Sequence, residues 1–364
     1  MKVALHLTHD CNLRCTYCYV GEKYGVRMSR ETAEAAVRFA HQQSRTYIDI
    51  NFFGGEPLLE KDLLWHVIDY AHQYRLEQTE TRPIRFFTTT NGVAIDEAFM
   101  KRSVDHGLVL SLSLDGHAQG HDLTRTLPDG RGSFETIAAN FPLILSHMPQ
   151  IQVLMTQTPR NVAWLAEGVE KLYHCGFRCF VLGPNFEEPW NVQAAEEWNK
   201  QIERIADFVI DRFRHGEFIS ISNFDAKIRS HTQTRAEVCS CCDKNDGEIA
   251  VAPSGNLYPC LRFVKEDRDH ELLIGSLRDG LDVRKRARIM AAASREWSDC
   301  LECGYRGRCF HYCSAVNFKL NGAFNQPPAF LCHTEQAVIR QADRLAEILW
   351  QERNPEFTRR YYRG

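Results

Sequence analysis

Three cysteines, Cys11, Cys15 and Cys18, follow directly on an apolar run from Val3 to Leu7. The run is short and aliphatic, so it reads as a buried β-strand with the cysteines on the loop that leaves it. Thiols this close in sequence are confined to one small volume. Their C-x3-C-x2-C spacing can offer three thiolates to a [4Fe–4S] cube and leave the fourth iron without a protein ligand. An iron with an open position can take a reactant, as the open position of a catalytic zinc does. The competing reading is a structural metal knot, or buried thiols that only pack.

Strand-like and helix-like segments alternate over residues 1–215, the pattern of a parallel sheet wound with helices. Strands are expected at Val3–Thr8, Ile48–Phe53, Ile84–Thr89, Leu108–Leu114, Ile151–Thr156 and Cys179–Leu182. Ser29 is a candidate N-cap, with Glu31 in the first turn of its helix. A second helix follows Asn161, with Val162, Leu165, Val169 and Leu172 on one face. A third runs from Asn191 to Phe213 on the stripe Trp198, Ile202, Ile205, Val209, Phe213. The helix after Ser133 should be kinked or broken at Pro142. Six β/α units are too few to close an eight-stranded barrel, so the fold class is α/β with an open, partial (β/α)6 barrel. In such folds chemistry gathers at the C-terminal ends of the strands, where the cysteine loop falls.

The other strand ends carry polar and glycine motifs. After the second comes Gly54-Gly55-Glu56-Pro57, where glycines permit close backbone approach and Pro57 fixes the exit. After the third comes Thr88-Thr89-Thr90-Asn91-Gly92. The fourth alternates Ser111, Ser113 and Asp115 against leucines.

With Tyr17 placed before the last cysteine, the loop resembles that of the radical S-adenosylmethionine (SAM) enzymes. The resemblance implies that SAM chelates the open iron and that one electron splits it to a hydrogen-abstracting 5′-deoxyadenosyl radical. Gly54, Gly55, Glu56 and Pro57 are similar to the family's GGE motif, which grips the amino group of SAM, and Thr90 and Asn91 to its TNG turn. By the same likeness Tyr17, Ser113 and Asp115 border SAM and Arg125 pairs with its carboxylate, a task suited to guanidinium. His117 and His121 read as polar loop residues. Cys175 and Cys179 read as small buried apolar residues.

A second cysteine field follows a bridging region at 216–238. It holds Cys239, Cys241 and Cys242, then a hairpin from Glu248–Ala252 through Pro253-Ser254-Gly255-Asn256 to Cys260, then Cys300, Cys303, Cys309, Cys313 and Cys332. This resembles the SPASM extension of radical SAM maturases, here spanning 239–335 and followed by a C-terminal helix and tail at 336–364. The likeness implies two auxiliary [4Fe–4S] clusters, making three with the first. One would use Cys239, Cys242 (or Cys241), Cys260 and Cys313, the other Cys300, Cys303, Cys309 and Cys332. Zinc is the competing metal for paired C-x2-C-like knuckles.

A net charge of −3 without blocks of like charge gives no nucleic-acid footprint, and no apolar run approaches a membrane span. Fourteen clustered cysteines suit metal binding in a reducing cytoplasm rather than disulfides. SPASM maturases either crosslink side chains of ribosomally made peptides, by thioether or carbon–carbon bonds, or oxidise one Ser or Cys of a sulfatase. The sulfatase-maturing enzymes place an acid directly after the hairpin cysteine, whereas here Cys260 is followed by Leu261. The expectation is therefore a peptide-crosslinking maturase, with single-residue oxidation second and a non-catalytic Fe–S or zinc protein third. Its expected partners are a precursor peptide or protein and a one-electron reductant such as flavodoxin or ferredoxin; since the barrel starts at residue 3, a leader would be read either by a separate leader-binding protein or by the barrel and SPASM surfaces themselves. Asp115, Glu187 and Glu188 are candidate bases by position.

Overall fold

The structure, a computed structural model, describes residues 1–78, 82–231, 247–268, 271–309 and 313–362. It divides into two compact units: residues 1–112, 127–130 and 242–294, and residues 113–126, 131–241 and 295–364.

In the first unit the strands are β1 (Lys2–Thr8), β2 (Ile48–Gly54), β3 (Ile84–Thr90) and β4 (Leu108–Ser113), parallel and side by side. β1 is buried along almost its whole length, as an aliphatic central strand must be. Helix Arg30–Gln43 starts where the Ser29 hydroxyl accepts the Thr32 N–H, and its buried Ala33, Ala36, Val37 and Ala40 form one narrow face. The second unit holds β5 (Gln152–Gln157), β6 (Cys179–Pro184) and a two-residue β7 (Ser220–Ile221), also parallel. Its longest helices, Val192–Arg214 and Ala329–Gln351, pack on one another. The Asn191 side chain caps the first of these, whose Trp198, Ile202, Ile205, Val209 and Phe213 are all buried. Each such side chain contributes roughly 1.5–3 kcal/mol.

All six expected strands are present, with ends shifted by a residue or two. Pro142 breaks its helix outright, into Phe134–Ala138 and Phe141–His147, because proline can start a helical turn but cannot bond back into the one before it. The stretch that sequence reads as bridging contains β7 and a helix, Ser222–Arg229. The C-terminal helix begins at Ala329, so Cys332 lies in its first turn. The expected hairpin is β8 (Ile249–Val251) and β9 (Leu257–Tyr258), but it is not a free-standing ribbon. β8 runs parallel to β1, pairing Val3 with Ile249 and Leu5 with Val251. Cys175 departs from its expected burial: it caps helix Leu165–His174 through its N–H to Lys171 and is exposed, since the helix end turns it outward. Cys179 is half-buried.

Candidate functional site

In the first unit the ends of β1, β2 and β3 are tied to one another. Gly55 N–H donates to Thr8 O at 2.8 Å and Glu56 N–H to Asp10 O at 2.9 Å, so the glycine motif clamps the start of the cysteine loop. Gly54 holds φ +126, and a Cβ on it would lie 2.3 Å from Thr8 O; a Cβ on Gly55 would lie 1.8 Å from Asp10 O. Only glycine permits this approach. Glu56 is buried, and its carboxylate accepts from Leu58 N–H (3.1 Å), the Thr90 hydroxyl (2.8 Å) and Asn91 N–H (2.8 Å). Burial raises its carboxyl above the ordinary range, against these three donors. The motif glutamate is thus a strut between β2 and β3. Pro57 opens the 3-10 turn Pro57–Glu60.

The cysteine loop meets donors aimed at its sulfurs. Cys11 Sγ accepts from Leu13 N–H at 3.4 Å and from Asn91 Nδ2 at 3.8 Å, and Asn91 also donates to Asn12 Oδ1 at 2.7 Å. Cys18 Sγ accepts from Lys23 Nζ at 2.9 Å. Burial pushes the Cys11 thiol up to about 12, so a cation must be bound for the thiolate to form there at neutral pH. Among the described residues no three Cys, His, Asp or Glu converge tightly enough to hold one ion. Thiols spread around a loop, with N–H donors on Cys11 and Cys18, fit a cube, whose cysteines each bind a different iron. Tyr17 is half-buried in this loop.

Sequence reasoning missed the neighbours of Cys18. Tyr19 is packed beneath the Arg262 guanidinium, 4.6 Å from its ring centre. Burial holds its hydroxyl well above the usual tyrosine range, and the Cys18 and Cys260 thiols both act on it electrostatically. The hairpin cysteine and the first cysteine loop are therefore close within one unit. Cys260 Sγ accepts from Arg262 N–H at 3.4 Å, and Leu261 N–H donates to Glu248, whose carboxyl is raised by burial. His6 and His9 are fully buried, and the Leu261 backbone lies within hydrogen-bonding reach of the His6 ring. Nothing in their spacing signals this, because β8 and the turns that close the space come from far along the chain.

In the second unit Asp115 and Arg125 form a buried pair, with Nε to Oδ2 at 2.9 Å and Nη2 to Oδ1 at 3.2 Å. Asp115 also accepts Thr156 N–H at 2.7 Å. A carboxylate so engaged serves as the guanidinium's counter-ion, not as a ready proton acceptor. Ser113 is half-buried at the end of β4. His121 Nδ1 accepts Asp115 N–H, and its Nε2 faces the Ser133 hydroxyl at 2.9 Å, which in turn donates to Arg125 O. Against the loop reading, His121 is a buried framework residue inside helix Ala118–Asp122, and His117 is that helix's N-cap, its Nδ1 accepting Gln119 N–H. Glu187 is paired with Lys319 at 2.5 Å, and Glu188 accepts from Asn185 Nδ2 at 3.2 Å.

Burial pushes His121 down to about 3. The unfolded chain takes up this proton near pH 6.5 and the folded chain does not, so acid favours unfolding. Stability should fall between pH 6.5 and 3 by about 1.4 kcal/mol per pH unit from this group alone. Urea unfolding at pH 7 and pH 5 tests it: His121→Asn should lose about 2 kcal/mol less than wild type over that interval.

Also in this unit, Cys300 and Cys309 are buried and Cys303 and Cys332 half-buried. The Cys332 thiol is pushed up by burial and by the nearby Cys300 and Cys303, so the start of helix Ala329–Gln351 meets the C-x2-C knuckle. Cys313 is half-buried at the start of helix Ser314–Asn321. Cys239, Cys241 and Cys242 lie outside the described residues. No helix is long and apolar enough to cross a membrane among the described residues.

Comparison with known proteins agrees with this geometry. Residues 5–183 match the Radical SAM superfamily. The cysteine-type anaerobic sulfatase-maturating enzyme of Clostridium novyi (strain NT) is 24% identical over 278 residues, covering 71% of this chain and 72% of the relative. The antilisterial bacteriocin subtilosin biosynthesis protein AlbA of Bacillus subtilis (strain 168) is 22% identical over 283 residues, covering 73% of this chain and 56% of that one. The fold is that of native anSMEcpe with bound AdoMet and Cp18Cys peptide: TM-score 0.80 at 20% identity, covering 96% of this chain and 99% of the other. Cysteine loop, α/β fold and domain match converge: residues 5–183 of this chain are a radical SAM domain, and a cysteine-rich region follows it.

Proposed function

We propose that this enzyme is a maturase that oxidises a single Cys or Ser side chain of a peptide or protein, a reading supported by its likeness to the cysteine-type and serine-type anaerobic sulfatase-maturating enzymes. The observation that carries the reading is the likeness, along nearly the whole chain, to a protein solved with both AdoMet and a cysteine peptide bound. Crosslinking, the first expectation from sequence, takes second place; its support is the AlbA relative and the replacement of the acid after the hairpin cysteine by Leu261. A carboxylate is nonetheless held at that place, because Glu248 accepts the Leu261 N–H at 2.9 Å.

A [4Fe–4S] cluster with SAM, when bound, supplies the hydrogen-abstracting radical. Cys11, Cys15 and Cys18 hold that cluster, and Asn91 orients Cys11. Tyr17, Gly54, Gly55, Glu56, Pro57 and Thr90 shape the adjoining SAM cradle, in which Glu56 fixes the backbone and Thr90 turns its hydroxyl inward to it. Cys300, Cys303, Cys309 and Cys332 form the ligand set of an auxiliary cluster. A one-electron reductant protein and the peptide are the partners. The fourfold buried wall of β1, with His6, Leu5, Leu7 and Thr8 all closed to solvent, keeps water from the cysteine loop's base.

The test is anaerobic turnover with a Cys-containing sulfatase peptide and its Ser form. Two-electron oxidation of the Ser form yields an aldehyde directly, and that of the Cys form a thioaldehyde that water converts to the same aldehyde with loss of hydrogen sulfide; a hydrazide reagent captures it. A product lacking two hydrogens but inert to hydrazide is a crosslink and rejects the reading.

A further inference from the structure

We propose that Lys23 sets the reduction potential of the cluster held by Cys11, Cys15 and Cys18, by a charged hydrogen bond to the Cys18 sulfur. The inference rests on the reading of those cysteines as the cluster ligands. Lys23 Nζ lies 2.9 Å from Cys18 Sγ, within the distance of a charge-assisted bond to sulfur. Its charge also reaches the Cys11 thiol.

A lysine on a free loop would contribute little, because its four-carbon stem wanders. This one is held on both sides. Gly21, at φ +84, turns the chain back so that its N–H meets Cys18 O at 3.3 Å. That φ strains any side chain but glycine's, and a Cβ there would also lie 1.7 Å from Glu266 Oε1 and push its carboxylate aside. Glu22 N–H donates to Glu266 Oε1 at 3.0 Å, and the Tyr24 hydroxyl donates to Glu266 O at 2.6 Å. The Tyr24 ring stacks on His9 at 4.7 Å, with the Arg268 guanidinium 5.1 Å from its centre. The gripping segment carries Lys265 and Asp267 at positive φ, conformations that non-glycine residues adopt only when packing enforces them. Both chain neighbours of Lys23 are thus fixed by the loop that follows the hairpin cysteine, and the ammonium is delivered to Cys18.

One-electron reduction by an external donor such as dithionite adds negative charge to an already anionic assembly of iron, sulfide and thiolates. No proton need move. A fixed ammonium on one sulfur stabilises the reduced form more than the oxidised form and raises the potential, as hydrogen bonds to cluster sulfurs do generally.

The experiment is an EPR-monitored redox titration of the reconstituted full chain, following the signal that changes when SAM is added. Lys23→Met should leave iron content unchanged and make the reduced-to-oxidised ratio about tenfold smaller at a fixed poise, a midpoint about 59 mV more negative for one electron. Lys23→Arg, which keeps the charge, should stay near the wild-type midpoint. An unshifted Lys23→Met midpoint overturns the proposal, and so does an Arg variant shifted as far as the Met one. Absence of any SAM-responsive signal in the wild-type protein instead removes the cluster assignment on which the proposal stands.

Discussion

Cys15→Ala protein is expected to release no 5′-deoxyadenosine from SAM above the uncatalysed background and to bind about four fewer irons per chain. The loss should be chemical, not a failure to fold. The loop is clamped through the backbone of Thr8 and Asp10 by Gly55 and Glu56, and the turn to Cys18 N–H uses the Cys15 carbonyl, so none of these bonds involves the Cys15 side chain. Two thiolates cannot retain a cube that ordinarily needs at least three. Far-ultraviolet circular dichroism should therefore be unchanged while iron content and deoxyadenosine, measured by chromatography after dithionite reduction, both drop. A fully folded Cys15→Ala protein with the wild-type rate would falsify the assignment of the radical chemistry to this loop.

Arg125→Met should destabilise the protein by about 3–5 kcal/mol, the largest stability effect expected of a single polar substitution here. Asp115 is fully buried beside a nearly buried guanidinium, and methionine would leave the carboxylate without its counter-ion. The Thr156 N–H, at 2.7 Å, cannot compensate a charge in so dry a place. Pairing the change with Asp115→Asn removes the stranded charge, so the double variant should recover a large part of the loss. Urea unfolding of the two single variants and the double one measures the coupling. Additive losses would show that the two side chains act independently.

Much of this architecture can be read from local pattern, because strand and helix periodicities are short-range. The six strands, the Ser29 and Asn191 caps and the Pro142 break depend on neighbours a few residues away. Cysteine spacing is likewise local, which is why the first loop is legible. What escaped is long-range. Glu56 reads as a SAM contact by resemblance, yet only the fold reveals that Thr90 and Asn91 saturate it. Asp115 reads as a base by its place at a strand end, whereas the return of the chain at Arg125 turns it into half of an ion pair. Lys23 has no motif at all. Its role arises from one glycine turn and from Glu266, more distant in sequence than any pattern window extends.

The pairing of β1 with β8 has a consequence for biosynthesis. As the polypeptide leaves the ribosome, the strand bearing the cysteine loop finds β2 early, yet its other edge stays open until Ile249–Val251 has been made. At ordinary translation speeds that interval is on the order of tens of seconds. An aliphatic edge left bare so long invites pairing with another nascent chain. Cluster insertion into a half-built pocket would meet the same delay, and truncations ending before residue 249 should accumulate as aggregates rather than as a smaller soluble enzyme.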